Sequence, residues 1–413
     1  MADDESLTER IVRHARRPKS EAVRARARLH LLDWLGCVAG ALRSPVAEVQ
    51  RAAGCGSAID RAGWLGNVLE MDDIHRSAIL HPGPVIWPTA LAVPDAPLDA
   101  ALDAAIGGYE AMILVGAMFD ANHYRHWHTT ATAGTFGAAM TAALAIGADE
   151  AQCVSALGLA GSVTGGLWQM RHEPVMAKQW HLAHAVRTGR AAAVEAANGI
   201  TGPRYILEGP QGLFAASCAR AKPLALGDGW QLEQVSFKPW GACRHAHPAI
   251  DAALTLRAQG QLVLPVHVGT YRDAITFCDR PSPASVVEAK FSLQHAIAIV
   301  VARGVPQLAD FEPEAIAELA PLRAQVTVAE SSAITAAYPA HYGARVSCDA
   351  GVVALVDTLG DPERPMDGDA IVEKARTLMA WGGLDDVAAG QAIDAALQGR
   401  AVRDVTEIVA QWL

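Results

Sequence analysis

The stretch AGTFGAAMTAALAIGA (133–148) constrains the fold most. It consists of Ala, Gly and Thr around a few larger apolar residues, and it carries no charge. Alanine is the strongest helix former, and a helix with such thin side chains can be approached closely by its neighbours. Similar texture runs through LDAALDAAIGGYEAMILVGAMFDA (98–121), DEAQCVSALGLAGSV (149–163) and WHLAHAVRTGRAAAVEAANG (180–199). These segments predict helices packed on helices.

Other segments extend the pattern. Residues 5–17 and 20–41 read as two helices, the second opening on Ser20, which can cap, with Glu21 in the first turn. Its Leu29, Leu32, Leu35 and Val38 recur at helical spacing. GSAIDRAGWLGNVLEMDD (56–73) reads as further helix, ending in a polar loop. The texture changes near residue 230. VHVGTYRDAITFCD (266–279) and RAQVTVAES (323–331) alternate like strands, and 344–361 reads as a hairpin around Asp349-Ala350-Gly351. Helical candidates at 292–304 and 311–320 lie between, and helix resumes at Asp367. The expectation is a mainly α protein. A large all-helical domain built from both chain ends (1–230 and 363–413) carries an inserted smaller α+β domain (231–362).

The charge balance excludes some functions. With 34 basic and 44 acidic residues the net charge is −10, a poor match to nucleic acid. Seven scattered cysteines without a CxxC read as reduced thiols, hence a cytoplasmic expectation. The charged N-terminus lacks a secretory h-region, and no long uncharged apolar run predicts a membrane span.

Histidines mark the candidate chemistry. In MDDIHRSAILHPG (71–83), Asp72, Asp73, His75 and His81 read as a metal set, as acid/base groups, or as a helix-terminal turn. His123, His126 and His128 cluster just before the 133–148 helix, and Thr129 and Thr130 offer hydroxyls. Lys178 sits in a mostly apolar run, with His181 one turn on and Arg171 seven residues before. A snorkelling surface lysine is the plainer reading of Lys178. Cys243, His245 and His247 read as zinc-like spacing or as a turn before a helix starting near Pro248. No phosphate-binding loop, dinucleotide fingerprint or nucleophile elbow is present.

Six stretches in order resemble the MmgE/PrpD family, whose members include 2-methylcitrate dehydratase, cis-aconitate decarboxylase and iminodisuccinate epimerase. They are LEMDDIHRSAILHPGPVIWPTALA (69–92), WHTTATAGTFGAAMTAALAIG (127–147), AKQWHLAHAVRTGRAAAVEAANGITGPRYILEGPQG (177–212), FKPWGACRHAHPAIDAAL (237–254), EAKFSLQHAIA (288–298) and GDPERPMDGDAIVEKAR (360–376). The resemblance implies a homodimeric enzyme for a small di- or tricarboxylate, without metal or other cofactor. It implies catalytic roles for His81, His128 and Lys178, with Asp73 orienting a histidine. It places Glu70, His75, Arg171, His181, Cys243, His247 and His295 around the substrate. Glu70, Cys243 and His295 stand where the decarboxylases carry Asp, His and Tyr, and the Asp73–His81 loop is longer. These departures favour a 2-methylcitrate dehydratase-like hydro-lyase, then an epimerase, over a decarboxylase. A non-catalytic metal- or acid-binding protein is the remaining alternative.

Overall fold

The computed structural model describes residues 5–173 and 175–413. It divides into two compact units. The first contains residues up to Val68, Asp72–Val235 and Asp367–Leu413, and the second contains Leu69–Met71 and Ser236–Met366. The sequence reading had set these boundaries at 231 and 362.

The first unit is helical. Its centre is the Thr129–Ala145 helix, flanked by the Leu98–Met118 and Ala177–Ala197 helices. Small residues bring these backbones together. A Cβ added to Gly189 would stand 2.5 Å from the Ala139 amide nitrogen, and one on Gly137 2.6 Å from Met112 Cβ. Apart from alternative side-chain rotamers, nothing there can give way. Ser20 caps the Glu21–Gly40 helix by accepting the Val23 N–H, and Asp367 caps Gly368–Gly382 through Ala370. The Leu98–Met118 helix is long and apolar enough to cross a bilayer, but 89% of its apolar window is buried inside the fold. A buried Lys374–Asp33 pair at 2.5 Å ties the C-terminal segment to the Glu21–Gly40 helix.

One expected helix is not there. Of 56–73, only Ala58–Ala62 is α-helical, and turns follow. Gly66 lies so close to Trp34 that a Cβ would meet its Nε1 at 2.7 Å, and Glu70 has a left-handed backbone (φ 56°). Tertiary packing overrides the helical pattern here.

The second unit holds a four-stranded mixed sheet. β1 (Val266–Thr270), β2 (Val326–Glu330), β3 (Ala344–Cys348) and β4 (Gly351–Leu355) lie in the order β2-β1-β3-β4. β1 and β2 are parallel, and the other pairs antiparallel. Val268 opposes Val328 on one side and Val346 on the other. The β3–β4 hairpin turns at Asp349-Ala350. The His247–Ala258 and Leu293–Arg303 helices pack on this sheet. Ile250, Leu256, Ile297, Val300, Val266 and Val346 form the shared core.

The expected 266–279 strand also changes. Only Val266–Thr270 is extended, and Arg272–Cys278 is a helix. Alternation stops at Tyr271, after which the buried Ala274 and Cys278 are four residues apart on one helical face.

Candidate active site

A two-residue bridge builds the first half of the site. His75 and Leu80 exchange backbone hydrogen bonds of 2.9 and 3.3 Å, with Ile79 at φ 52° closing the turn. The loop folds Asp72 and Asp73 back towards the residues that follow it. Asp72 Oδ2 lies 2.8 Å from His81 Nδ1, and Asn67 Nδ2 donates to both Asp72 oxygens at 2.7 and 2.8 Å. The His81 N–H donates to Thr130 Oγ1 at 3.1 Å. A carboxylate at Nδ1 fixes that nitrogen as the donor and leaves Nε2 as a lone pair.

Asp73 has partners of its own. Its Oδ1 accepts the Gly83 N–H at 2.8 Å, and its Oδ2 accepts Tyr109 O–H at 2.7 Å and faces His30 Nδ1 at 2.8 Å. It does orient a histidine, but that is the fully buried His30, while Asp72 serves His81. Burial pushes the Asp73 carboxyl up to about 6, against the opposing hydrogen bonds from Tyr109 and Gly83. A Cβ on Gly83 would stand 2.7 Å from Asp73 Oδ1, so the glycine of HPG permits this contact.

His128 forms the second half. It immediately precedes the Thr129–Ala145 helix and is 2% exposed. Its N–H donates to Gly166 O at 2.9 Å, and its ring lies 4.6 Å from that of Trp168. Its Nδ1 is 3.2 Å from His181 Nδ1. Burial first, then the charges of Lys178, His181 and His81, hold the His128 ring well below the ordinary imidazole value. Burial, then the His184 charge, also lowers His181. Lys178 and His181 occupy the first turns of the Ala177–Ala197 helix, and Lys178 is half-buried. The first unit thus gathers His81, His128, His181 and Lys178 into one electrostatically linked group.

The other expected residues are distributed differently. His75 lines a separate cavity of ≈ 500 Å³ with Leu114, Met118, Lys222 and Gln231, and burial lowers it to about 4. Arg171 stacks over Trp168 at 5.1 Å, on a 3-10 turn (Trp168–His172). In the second unit, Glu70 lies 3.6 Å from the fully buried Lys238. His247 Nε2 meets the Ala242 carbonyl at 3.1 Å, and its Nδ1 faces Arg244 at 3.2 Å. His295 is likewise committed on both nitrogens, to the Asp310 carbonyl at 2.8 Å and to Arg323 at 3.2 Å. A buried ring with both nitrogens engaged has none left for a substrate. In this structure both nitrogens of His295 and of His247 are engaged by protein partners. Cys243 is buried, in the same core cluster as Cys278.

The metal alternatives do not converge in this geometry. Asp72 turns to His81, Asp73 to His30, and His75 to its own loop. His245 and His247 likewise have different partners, His245 Nδ1 lying 2.7 Å from the Tyr271 hydroxyl and His247 Nε2 3.1 Å from the Ala242 carbonyl. Among the described residues, the set with donor atoms close enough for an ion is His341, Asp357 and Glu363, within 4.8 Å of one another. No sequence motif marks those three. Asn67, His30 and Trp168 were also missed, because each reaches the site from a distant or patternless position.

Comparison with known proteins finds two family models that together cover most of the chain. The MmgE/PrpD N-terminal domain matches residues 55–224, and the MmgE/PrpD C-terminal domain matches residues 240–399. A cis-aconitate decarboxylase-like protein, oryM of Aspergillus oryzae (strain ATCC 42149 / RIB 40), is 28% identical over 207 residues. That alignment covers 45% of this chain and 43% of the fungal protein, so the chain spans less than half the length of the curated relative.

Proposed function

We propose that this chain, which belongs to the MmgE/PrpD family, is a lyase that removes water from a small di- or tricarboxylate. The activity we favour is of the 2-methylcitrate dehydratase type, by general acid/base catalysis without a cofactor. The observation that carries the reading is the pairing of two separately held imidazole systems beside a lysine. His81 is backed by Asp72, and His128 is backed by His181, with Lys178 close enough to depress His128.

The chemistry follows from those groups. A base must take the proton next to a carboxylate, and an acid must give a proton to the departing hydroxyl, which leaves as water. Neutral rings held by fixed partners offer a bare nitrogen for the first task and an N–H for the second. Lys178 and the start of the Thr129–Ala145 helix offer positive potential to the substrate carboxylates, which offsets the charge that builds in the transition state. We assign His81 and His128 as the acid/base pair, Lys178 as the carboxylate partner and His181 as the group that sets the His128 tautomer. Asp72 takes the orienting role at His81.

The second reading is an epimerase of the iminodisuccinate type, because two independent acid/base groups also suit proton removal and return at one carbon. Decarboxylation ranks third. The fungal relative is named decarboxylase-like, while Glu70, Cys243 and His295 depart from the decarboxylase pattern. A homodimer in the cytoplasm completes the reading, with no nucleic-acid partner, in keeping with a net charge of −10.

A substrate panel tests it: 2-methylcitrate, citrate, cis-aconitate and iminodisuccinate, followed by product analysis. Dehydration of the first supports the assignment. Turnover of iminodisuccinate alone moves it to the epimerase, and carbon dioxide release from cis-aconitate to the decarboxylase. Stoichiometric metal in the purified protein, lost in His81→Ala, would overturn the cofactor-free mechanism.

A further inference from the structure

Three donor side chains converge at the open end of the β3–β4 hairpin, all within the second unit. His341 stands just before β3, and Asp357 just after β4. The antiparallel register pairs Ala344 with Leu355, and continued outward it brings these two flanks side by side. His341 Nδ1 lies 2.8 Å from Asp357 Oδ1. Glu363 comes from a third piece of chain, the turn that follows. One donor atom from each of the three side chains lies within 4.8 Å of the others.

The backbone around Glu363 is held in place. The Asp361 N–H donates to Thr358 O at 3.1 Å, the Arg364 N–H to Asp361 O at 2.9 Å, and the Gly360 N–H to Arg364 O at 2.8 Å. The Asp361 carboxylate is fully buried and accepts from Ser236 Oγ at 2.7 Å and from Arg244 at 2.5 Å. The donor side chains remain reachable, because His341 is 40% exposed and Glu363 is exposed. An ion therefore has a route in from solvent, and water can fill its remaining position. Arg364 is the neighbouring cation. Its guanidinium donates to Asp251 Oδ2 at 2.5 Å and to the Asp357 carbonyl at 3.1 Å, so Asp251 offsets its charge.

The donor chemistry narrows the ion. One imidazole and two carboxylates suit zinc, which binds both at about 2.0–2.2 Å and accepts three protein ligands with one water. Calcium prefers an all-oxygen shell. Ligands of a tetrahedral zinc stand about 3.3 Å apart, so the His341–Asp357 pair opens slightly and the long Glu363 side chain closes onto the ion.

We propose that His341, Asp357 and Glu363 form a zinc-type divalent-metal site. The ion replaces the proton shared between His341 Nδ1 and Asp357, and the ring keeps its proton on Nε2. It ties the chain ahead of β3 to the segment that follows β4. The site uses none of the residues assigned to turnover and does not rest on the proposed reaction.

Metal titration tests it. The untagged full chain carries Cys55→Ser, which removes the exposed thiol as a competing ligand. It is stripped with EDTA, dialysed, and titrated with zinc chloride by calorimetry, with thermal melts in parallel. The expected result is a single zinc ion per chain and a higher melting temperature, because the ion binds the folded arrangement. His341→Ala and Glu363→Gln should each weaken zinc binding by about 10-fold or more, with unchanged circular dichroism. His81→Ala should bind zinc as the parent does, and calcium should bind at least about 10-fold more weakly than zinc. Absence of zinc uptake, or unchanged uptake in either His341→Ala or Glu363→Gln, would overturn the proposal. So would calcium binding as tight as zinc, which marks an acidic patch only. Zinc lost in His81→Ala would place the metal among the assigned acid/base residues, which overturns this site and the cofactor-free mechanism together.

Discussion

His128 and His181 meet Nδ1 to Nδ1 at 3.2 Å, so one ring donates and the other accepts. Two Nδ1 atoms share one proton when both rings are neutral. The donor ring then presents a bare Nε2, and the acceptor ring presents Nε2–H. Burial keeps both rings below the ordinary imidazole value, which sustains the neutral pair. This contact makes His181 the partner that sets which tautomer His128 presents.

His128→Ala should therefore cut turnover by about 10²–10⁴-fold, the usual contribution of a positioned acid or base. Lys178→Ala should also lower it by orders of magnitude. Circular dichroism should be unchanged in both. Near-normal kcat/KM in both variants would sink the assigned site.

The pH dependence follows from the sign of the shifts. Neutral His128 is the working form, and its folded value is depressed, so activity should hold as pH falls through 6.5 and fail only below it. Lys178 is the largest charge cause after burial. Lys178→Met should move the His128 titration upward, towards 6.5, in a histidine NMR titration. An unmoved midpoint would refute the coupling.

The adjacent aspartates should separate cleanly. Asp72→Asn should lower kcat by about 10²–10⁴-fold with little loss of stability, because His81 loses the carboxylate that fixes its tautomer. Asp73→Ala should lower stability by about 3 kcal/mol or more, because Tyr109 O–H, the Gly83 N–H and His30 lose their shared partner. Thermal melts beside kinetics distinguish the two. Equal effects on both readouts would contradict the division of labour.

Gly189→Ala tests the packing that positions the histidines. Its Cβ would meet the backbone of Ala138 and Ala139, 2.5 Å from the Ala139 nitrogen. The two helices involved carry Lys178 and His181 on one side and follow His128 on the other. The expected cost is about 1–3 kcal/mol, with turnover reduced because the helices move apart. A neutral substitution would show that this approach is not tight.

Glu110 offers a stability measurement. Burial raises its carboxyl to about 7, above the ordinary 4.5, despite the Gln231 N–H and nearby cations. A raised acid stabilises fully below 4.5, and that contribution is lost as pH rises through 7. The melting temperature of Glu110→Gln relative to wild type should therefore improve by a few degrees between pH 5 and pH 8. A constant difference would show that Glu110 titrates normally.

Much of the fold was legible in particular residues. Ser20 and Asp367 announced helix starts, and the Ala- and Gly-rich 133–148 stretch announced the central helix, which begins earlier at Thr129. The β3–β4 hairpin followed from its alternation and its Asp349-Ala350 turn. The helix expected over 56–73 failed because Gly66 had to fit against Trp34. The strand expected over 266–279 failed because a short apolar run at period 2 passes directly into one at period 4.

The sequence by itself determined most of the long helices and the β3–β4 hairpin, since periodicity and capping are local. The resemblance to the MmgE/PrpD family, rather than the residue types themselves, singled out His81, His128, His181 and Lys178. Only the tertiary structure decided how those residues pair. Asp72 and Asp73 are chemically identical neighbours, and adjacent side chains point in different directions. The choice between His81 and His30 was made by Asn67, five residues away, and by His30 and Tyr109, from helices far along the chain. His295 shows the same limit, because its commitment to Asp310 and Arg323 depends on segments that meet only when the second unit has folded. A hydrogen bond is directional and short, so its partner is fixed by three-dimensional placement, which no one-dimensional spacing encodes.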